Sequence, residues 1–291
     1  MKSQVRTTSR LQSTIVDNAE ALVANRIFHD HECSYYDERF VIVHDERSAR
    51  RALHEIEDLL GRPIRAEETV LDAGCGTGWL AAGLPRAVPG LSVIGVDVSA
   101  GMIAQARAAG AWPLLHADAQ RLPLANASVD LIVTRGVLHH LPDVQAALTE
   151  WRRVLRPGGA VVVACEPTPT TEAHSEPLVR ALLRVLHRTL TPDEDFWEVA
   201  SMAANLHVFT LAQLAEIATD AGYREVSLST RYFLATLLLT ASYVTHGRRP
   251  GLARQIPWRQ LESLACTLDN AVSNRILPAK WRHALVGVLR P

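Results

Sequence analysis

The chain has 291 residues, 48% of them hydrophobic and 21% charged, enough apolar material for a full-size core and the wrong balance for a disordered, collagenous or low-complexity protein. Its length fits two ordinary domains or one α/β domain with insertions. With 30 Lys and Arg against 31 Asp and Glu, the formal charge is −1, so no chain-wide field holds a polyanion and a nucleic-acid partner is not expected.

Residues 1–45 read as an N-terminal helical cap. Leu11, Ile15, Ala19, Leu22, Val23 and Ile27 recur at helical spacing, and an aromatic, charged stretch follows at 28–40. Residues 46–166 read as an α/β core that opens with an amphipathic helix at 46–60, stopped by Gly61 and Pro63. Short β-branched runs at 69–71, 92–96, 129–134 and 160–164, and a further short strand at 114–117, alternate with Ala-rich helical windows at 79–88, 100–109 and 144–154. That alternation predicts a parallel sheet with helices on both faces and right-handed crossovers. Residues 167–209, Pro/Thr-rich turns around a helix at 177–190, read as a helical lid insertion. The chain returns to the core over 210–231, with a helix at 211–221, a stop at Gly222 and a strand at 225–230. A second helical insertion spans 232–281, with helices at 233–244 and 258–276, and 282–291 carries the last strand at 284–289. The predicted fold is a Rossmann-like, seven-stranded, mostly parallel α/β sheet with no internal repeat and no separable second domain.

Cys33, Cys75, Cys165 and Cys266 are far apart and lack any CxxC or Cys/His zinc spacing, so they read as reduced thiols with no metal site. Residues 1–10 lack the apolar stretch of a signal peptide, and the greasiest run, 233–244, is too short and too rich in Thr and Ser to span a bilayer. A cytoplasmic protein, monomer or homodimer, without stable membrane insertion is expected.

Residues 70–78, Val-Leu-Asp-Ala-Gly-Cys-Gly-Thr-Gly, run from a strand through a glycine turn into a helix. Such glycines serve where the backbone takes positive φ or a ligand approaches too closely for a Cβ. The next strand ends at Asp97, placing a carboxylate where α/β sheets bind nucleosides and where it can accept from both ribose hydroxyls. Two cofactors fit, a nicotinamide dinucleotide and S-adenosylmethionine. The dinucleotide fingerprint needs a third glycine at the position of Trp79, which argues against NAD.

The segment Asp72 to Gly78 resembles the first motif, D/E-x-G-x-G-x-G, of the class I S-adenosylmethionine-dependent methyltransferases. His116-Ala117-Asp118-Ala119 resembles their adenine site. Residues 128–133 with Leu138-His139-His140-Leu141 resemble the fourth strand and its exit, and Leu155-Arg156-Pro157-Gly158-Gly159 the turn into the fifth. Tyr35-Tyr36-Asp37 is similar to the aromatic-acid stretch with which the ubiquinone and menaquinone methyltransferases close over their cofactor. The resemblance covers about residues 69–165. It implies S-adenosylmethionine as cofactor, S-adenosylhomocysteine as product, and a cofactor site of Asp72, Gly74, Gly76, Gly78, Asp97, Val98, Asp118, Ala119 and Tyr36. Asp118 would meet the exocyclic amine of the adenine and the Ala119 amide a ring nitrogen.

The sulfonium is already an activated electrophile, so the protein must chiefly align an acceptor and exclude water. A hydroxyl or acidic carbon also needs a general base. His139 and His140, just past the fourth strand, are the candidates; the alternative is that they pack against the cofactor or cap a helix. Glu166, at the end of the fifth strand, is the third catalytic candidate, the alternative being a solvated carboxylate before Pro167. Cys75 has no group nearby to activate it. No Pro-Pro-aromatic tetrapeptide follows the fourth strand, where the chain reads Thr134-Arg135-Gly136-Val137, and no Pro-Cys nucleophile appears, so a small-molecule acceptor is expected. Residues 233–244 and the stripe Leu261, Leu264, Leu268 and Val272 are expected to pack as core or as a dimer face; the sharper readings are an apolar substrate pocket or a surface that touches a membrane. The expected function is methyl transfer to a moderately apolar small molecule, at oxygen, or else at carbon of a quinone- or isoprenoid-like acceptor. A non-catalytic cofactor-binding protein and a cyclisation or rearrangement using the same cofactor are the other readings.

Overall fold

The computed structural model of the protein describes residues 18–110, 112–171, 207–248 and 250–291. The helix expected at 177–190, most of the lid insertion around it and the start of the helix expected from residue 11 lie outside these.

Seven strands form one sheet: β1 (Thr69–Ala73), β2 (Ser92–Asp97), β3 (Leu114–His116), β4 (Val129–Arg135), β5 (Leu155–Pro167), β6 (Glu225–Arg231) and β7 (Ala284–Arg290). Their order is β3-β2-β1-β4-β5-β7-β6. Strands β1 to β5 pair in parallel, and β7 lies antiparallel between β5 and β6. The order reverses between β1 and β4, and such a switch point opens a crevice at the carboxyl ends of the strands.

The described helices are α1 (Asn18–Glu32), α2 (Tyr36–Arg39), α3 (Glu46–Leu60), α4 (Trp79–Ala87), α5 (Ala100–Ala109), α6 (Val144–Val154), α7 (Leu211–Asp220), α8 (Leu234–Arg248), α9 (Pro250–Ala253), α10 (Trp258–Leu268) and α11 (Asn274–Ile276). Local chemistry sets several of their ends. The Asp45 carboxylate accepts from Ser48 N–H to start α3, and Gly61, at φ 71°, ends it in the left-handed conformation. Asp143 and Ser99 start α6 and α5 in the same way.

One apolar layer joins Ala52, Leu53, Ile56 and Leu60 of α3 to Leu80 and Leu84 of α4 and to the sheet residues Val70, Val93, Leu131 and Val162. The opposite layer gathers Leu71, Ile132 and Val161 under Leu148 and Trp151 of α6 and Leu214 of α7. Trp151 is completely buried and its Nε1–H donates to Ala119 O at 2.9 Å. Trp151→Ala is expected to cost about 3–5 kcal/mol, read as a lower urea midpoint at unchanged slope.

The final helical segment departs from the single helix expected at 258–276. It widens into a π turn at Asp269–Ser273, where the fully buried Asp269 carboxylate accepts from Phe233, Leu234 and Ala235 N–H and so caps the first turn of α8. The stripe expected to pack as core or as a dimer face is not core: it lies largely at the surface, with Leu264 56% and Val272 46% exposed. The inward face of α10 is carried by Ala265 and Cys266 instead.

Candidate active site

The site is assembled where β1, β2, β4 and β5 end. Gly74 and Cys75 N–H both donate to Val96 O at 2.8 Å, and Gly76 N–H donates to Asp97 Oδ2 at 2.8 Å, which ties the turn after β1 to the end of β2. Gly74, Gly76 and Gly78 all have positive φ, but their surroundings differ. A Cβ on Gly74 would fall 2.4 Å from Val137 Cγ2, and one on Gly78 would fall 2.7 Å from the Trp112 ring, whereas Gly76 faces open space. Gly74 and Gly78 therefore let the turn close on its protein neighbours, and Gly76 leaves room for a ligand. Gly74→Ala should displace Val137 and the turn around it, with a loss of cofactor affinity of roughly tenfold or more by calorimetry.

Asp97 Oδ1 accepts from Ser99 N–H at 2.9 Å, so both carboxylate oxygens are held by backbone and each keeps a lone pair for a further donor. Burial raises its pKa in spite of these bonds. Asp97, Val98, Asp118 and Ala119 line one narrow pocket with Gly74, Gly76 and Tyr36. The Asp118 carboxylate accepts from Gln120 N–H at 2.9 Å, which shapes the turn after β3. Tyr36 reaches this pocket from α2, its ring centroid 4.5 Å from that of Phe40. Tyr35 turns elsewhere, with the Arg39 guanidinium 4.4 Å over its ring. Trp79, in place of the third glycine, donates from Nε1 to Val43 O at 2.9 Å and holds the segment between α2 and α3.

A larger cavity of about 1240 Å³ adjoins this pocket and shares Gly74, Gly76, Tyr36 and His140 with it. Asp72 lines its floor, 3% exposed, with Oδ2 lacking a hydrogen-bond partner. Burial first, and the Asp97 charge second, raise the Asp72 carboxyl to about 7. Cys75 is no nucleophile: burial and the same two carboxylates push its thiol well above the usual range.

Glu166 is not the solvated carboxylate its position before Pro167 allowed. The pairing of β5 with β7 shifts register between Val163 and Glu166, Cys165 takes φ 59°, and the Glu166 side chain is fully buried. It accepts from Val137, Leu138 and His139 N–H at 2.8, 3.0 and 3.2 Å, and pairs with His139 Nδ1 at 2.8 Å. A carboxylate on Nδ1 assigns the ring hydrogen to that nitrogen and leaves the Nε2 lone pair as acceptor. The His140 ring centroid is 3.9 Å from that of His139 and 4.9 Å from that of His29, and its carbonyl accepts from Asn25 Nδ2 at 2.8 Å. His140 thus joins α1 to the exit of β4.

Several site residues were not expected. His29 lines both pockets, its pKa lowered to about 4 chiefly by burial. Asn25 and His29, four apart on α1, form a polar stripe on a helix face that a burial pattern could have flagged. Asp37 accepts from Thr77 Oγ1 at 2.7 Å and contacts His44 Nε2 at 2.9 Å, latching the cap to the glycine turn. Arg135 pairs with Glu55 at 2.7 Å, and Glu55 also accepts from Tyr232 O–H at 2.6 Å. The far wall combines Ala235, Thr236 and Leu239 of α8 with the Arg51–Glu262 pair at 3.0 Å. The cavity is therefore apolar in part, with the Arg135–Glu55 and Arg51–Glu262 pairs in its wall and Asp72 at its floor.

Residues 71–163 match the family described as a methyltransferase domain. An uncharacterized methyltransferase of Mycobacterium tuberculosis is 39% identical over 106 residues, 35% of this chain and 53% of that protein. A malonyl-[acyl-carrier protein] O-methyltransferase of Hahella chejuensis is 32% identical over 163 residues, 54% of this chain and 51% of that protein. A ubiquinone/menaquinone biosynthesis C-methyltransferase of Syntrophotalea carbinolica is 35% identical over 128 residues, 42% of this chain and 52% of that protein. The chain spans about half the length of these relatives. Among solved structures, phosphoethanolamine N-methyltransferase 2 of Haemonchus contortus, in complex with S-adenosylhomocysteine, superposes with a TM-score of 0.59 at 19% identity, covering 95% of this chain and 61% of that one. The [4+2]-cyclase SpnF superposes with a TM-score of 0.51 at 20% identity, covering 82% of this chain and 80% of that one.

Residues 71–163 carry a methyltransferase domain, and the glycine turn, strand-end carboxylate and seven-stranded sheet are arranged as in the class I S-adenosylmethionine-dependent methyltransferases. The buried, unpartnered oxygen of Asp72 and the open face of Gly76 suit a cationic adenosyl cofactor.

Proposed function

We propose that the protein transfers the methyl group of S-adenosylmethionine to a hydroxyl oxygen of a moderately apolar small molecule seated in the larger cavity. The pairing of His139 with the buried Glu166 at that cavity carries the reading. In it, Asp97 takes the ribose hydroxyls, Asp118 and Ala119 the adenine, Asp72 the positive charge of the methionine part, and Gly74, Gly76, Gly78 and Val98 shape the backbone cradle. Tyr36 covers the cofactor. His139 Nε2 takes the proton of the acceptor hydroxyl as the oxygen attacks, Glu166 holds the ring in the tautomer that permits it, and His140 orients the ring from its open side. The cofactor, when bound, supplies the methyl cation equivalent and leaves as S-adenosylhomocysteine. The similarity to a quinone C-methyltransferase supports a second reading, methylation at carbon of a quinone- or isoprenoid-like acceptor, in which the same base removes a C–H or ring-hydroxyl proton.

Calorimetric titration with S-adenosylmethionine and S-adenosylhomocysteine tests the cofactor assignment. Asp97→Ala is expected to weaken both by about tenfold or more, and unchanged affinity in that variant would overturn it. Screening apolar alcohols, phenols and quinones for S-adenosylhomocysteine release and a product heavier by one methyl group then tests the reaction. A product of unchanged mass would show a cyclisation or rearrangement instead.

A further inference from the structure

The formal charge of the whole chain is −1, but it is not evenly spread. Between residues 251 and 283 the exposed Arg, Lys, Asp and Glu side chains are Arg254, Arg259, Arg275 and Lys280, all basic. The two acids of this stretch face inward: Glu262 pairs with Arg51, and the fully buried Asp269 caps α8. On the same stretch Leu261, Leu264, Leu268, Val272 and Ile276 recur every three or four residues and are all exposed, Ile276 by 74%; Trp281 follows at 42%.

An exposed apolar stripe on a stretch whose exposed charges are all basic, ended by a tryptophan, is the composition with which a helix lies in the headgroup region of an anionic bilayer; of these bases Arg259 also lies near the exposed Asp45 at the start of α3. A second copy docked face to face would set these bases against the same bases, with no exposed acid from the stretch to answer them. We propose that α10, the π turn and α11 form a peripheral docking surface for an anionic lipid bilayer. Among the described residues no helix is long and apolar enough to cross a membrane, so the contact is with its surface. Asn270 and Asn274 of the same stretch line the larger cavity, so docking would bring the wall of that cavity to the lipid. The docking surface stands independently of the atom methylated, and its test does not require turnover.

Co-sedimentation of the full chain is measured with vesicles of equal parts phosphatidylcholine and phosphatidylglycerol, and with phosphatidylcholine vesicles alone. Binding to the anionic vesicles is expected to exceed binding to the neutral ones by about tenfold or more and to fall with added salt. Arg254→Glu with Lys280→Glu, and separately Leu264→Gln with Leu268→Gln, should each lower it by a similar factor while melting temperature and cofactor affinity stay put. Absence of binding, equal binding to neutral vesicles, or full retention by either pair of variants would overturn the proposal. So would a concentration-dependent dimer in sedimentation velocity that the Leu264→Gln, Leu268→Gln protein no longer forms, since the stripe would then be a subunit interface.

Discussion

S-adenosylmethionine binding is expected to tighten about tenfold between pH 6 and pH 8, because a buried acid in the site must lose its proton to meet a cationic ligand. Burial and the neighbouring Asp97 raise the Asp72 carboxyl to about 7, and its Oδ2 has no hydrogen-bond partner. In the ligand-free protein Asp72 is therefore mostly neutral at pH 6 and mostly ionised at pH 8. The sulfonium and ammonium charges favour the ionised form, so affinity falls with each pH unit below about 7 and levels off above it. Asp97 is raised as well, chiefly by its burial. Asp72→Asn should weaken binding at pH 8 and flatten the profile.

Stability moves the other way. A carboxyl whose folded pKa lies above its unfolded one binds its proton more tightly when folded, so its contribution is present in acid and is lost as pH rises from the ordinary carboxylate value toward about 7. Asp72→Asn should accordingly melt higher than the parent protein at pH 8. Calorimetric titrations at pH 6, 7 and 8 with parallel melting curves would decide it; a pH-independent affinity in the parent protein, or an Asn variant that melts lower, would count against the role given to Asp72.

His139→Ala is expected to slow methyl transfer by about 10²- to 10⁴-fold, the usual contribution of a positioned general base, with cofactor affinity within roughly twofold of the parent value. Glu166 calls for a gentler change. Its carboxylate gathers three successive backbone N–H groups as well as the His139 ring, so Glu166→Ala would strand buried donors and weaken the fold. In Glu166→Gln the oxygen can still accept from backbone, but an amide N–H set toward the imidazole favours the tautomer with hydrogen on Nε2, which removes the base. That variant should keep its cofactor affinity and lose rate in the manner of His139→Ala. Parent-like rates in His139→Ala would leave catalysis to alignment of the two substrates alone.

The helices whose start and stop chemistry is local were readable from residue order. Asp45 and Gly61 bracket α3, and Asp143 begins α6, because a cap needs only a side chain and a turn a few residues away. The glycine turn and Asp97 were equally legible, since strand, tight turn and strand-end acid follow one another within one βαβ unit. With them came the parallel sheet, the cofactor class and the two histidines past β4.

Long-range contacts settled the rest. Glu166 is buried rather than solvated because β5 slips register against β7, a strand more than a hundred residues away in the chain. His29 and Asn25 enter the site because α1 folds back over the exit of β4. Asp72 titrates near neutrality because packing removes its water and sets Asp97 beside it, neither of which a strand residue reveals in one dimension. The apolar period of residues 261–272 is the same whether the stripe faces core or solvent; it faces solvent because Asp269 is drawn inward to cap α8 and Ala265 packs in the cluster with Tyr232, Ala235 and Ala284. Periodicity names the elements, and the depth of burial that gives each side chain its chemistry comes from what packs above it.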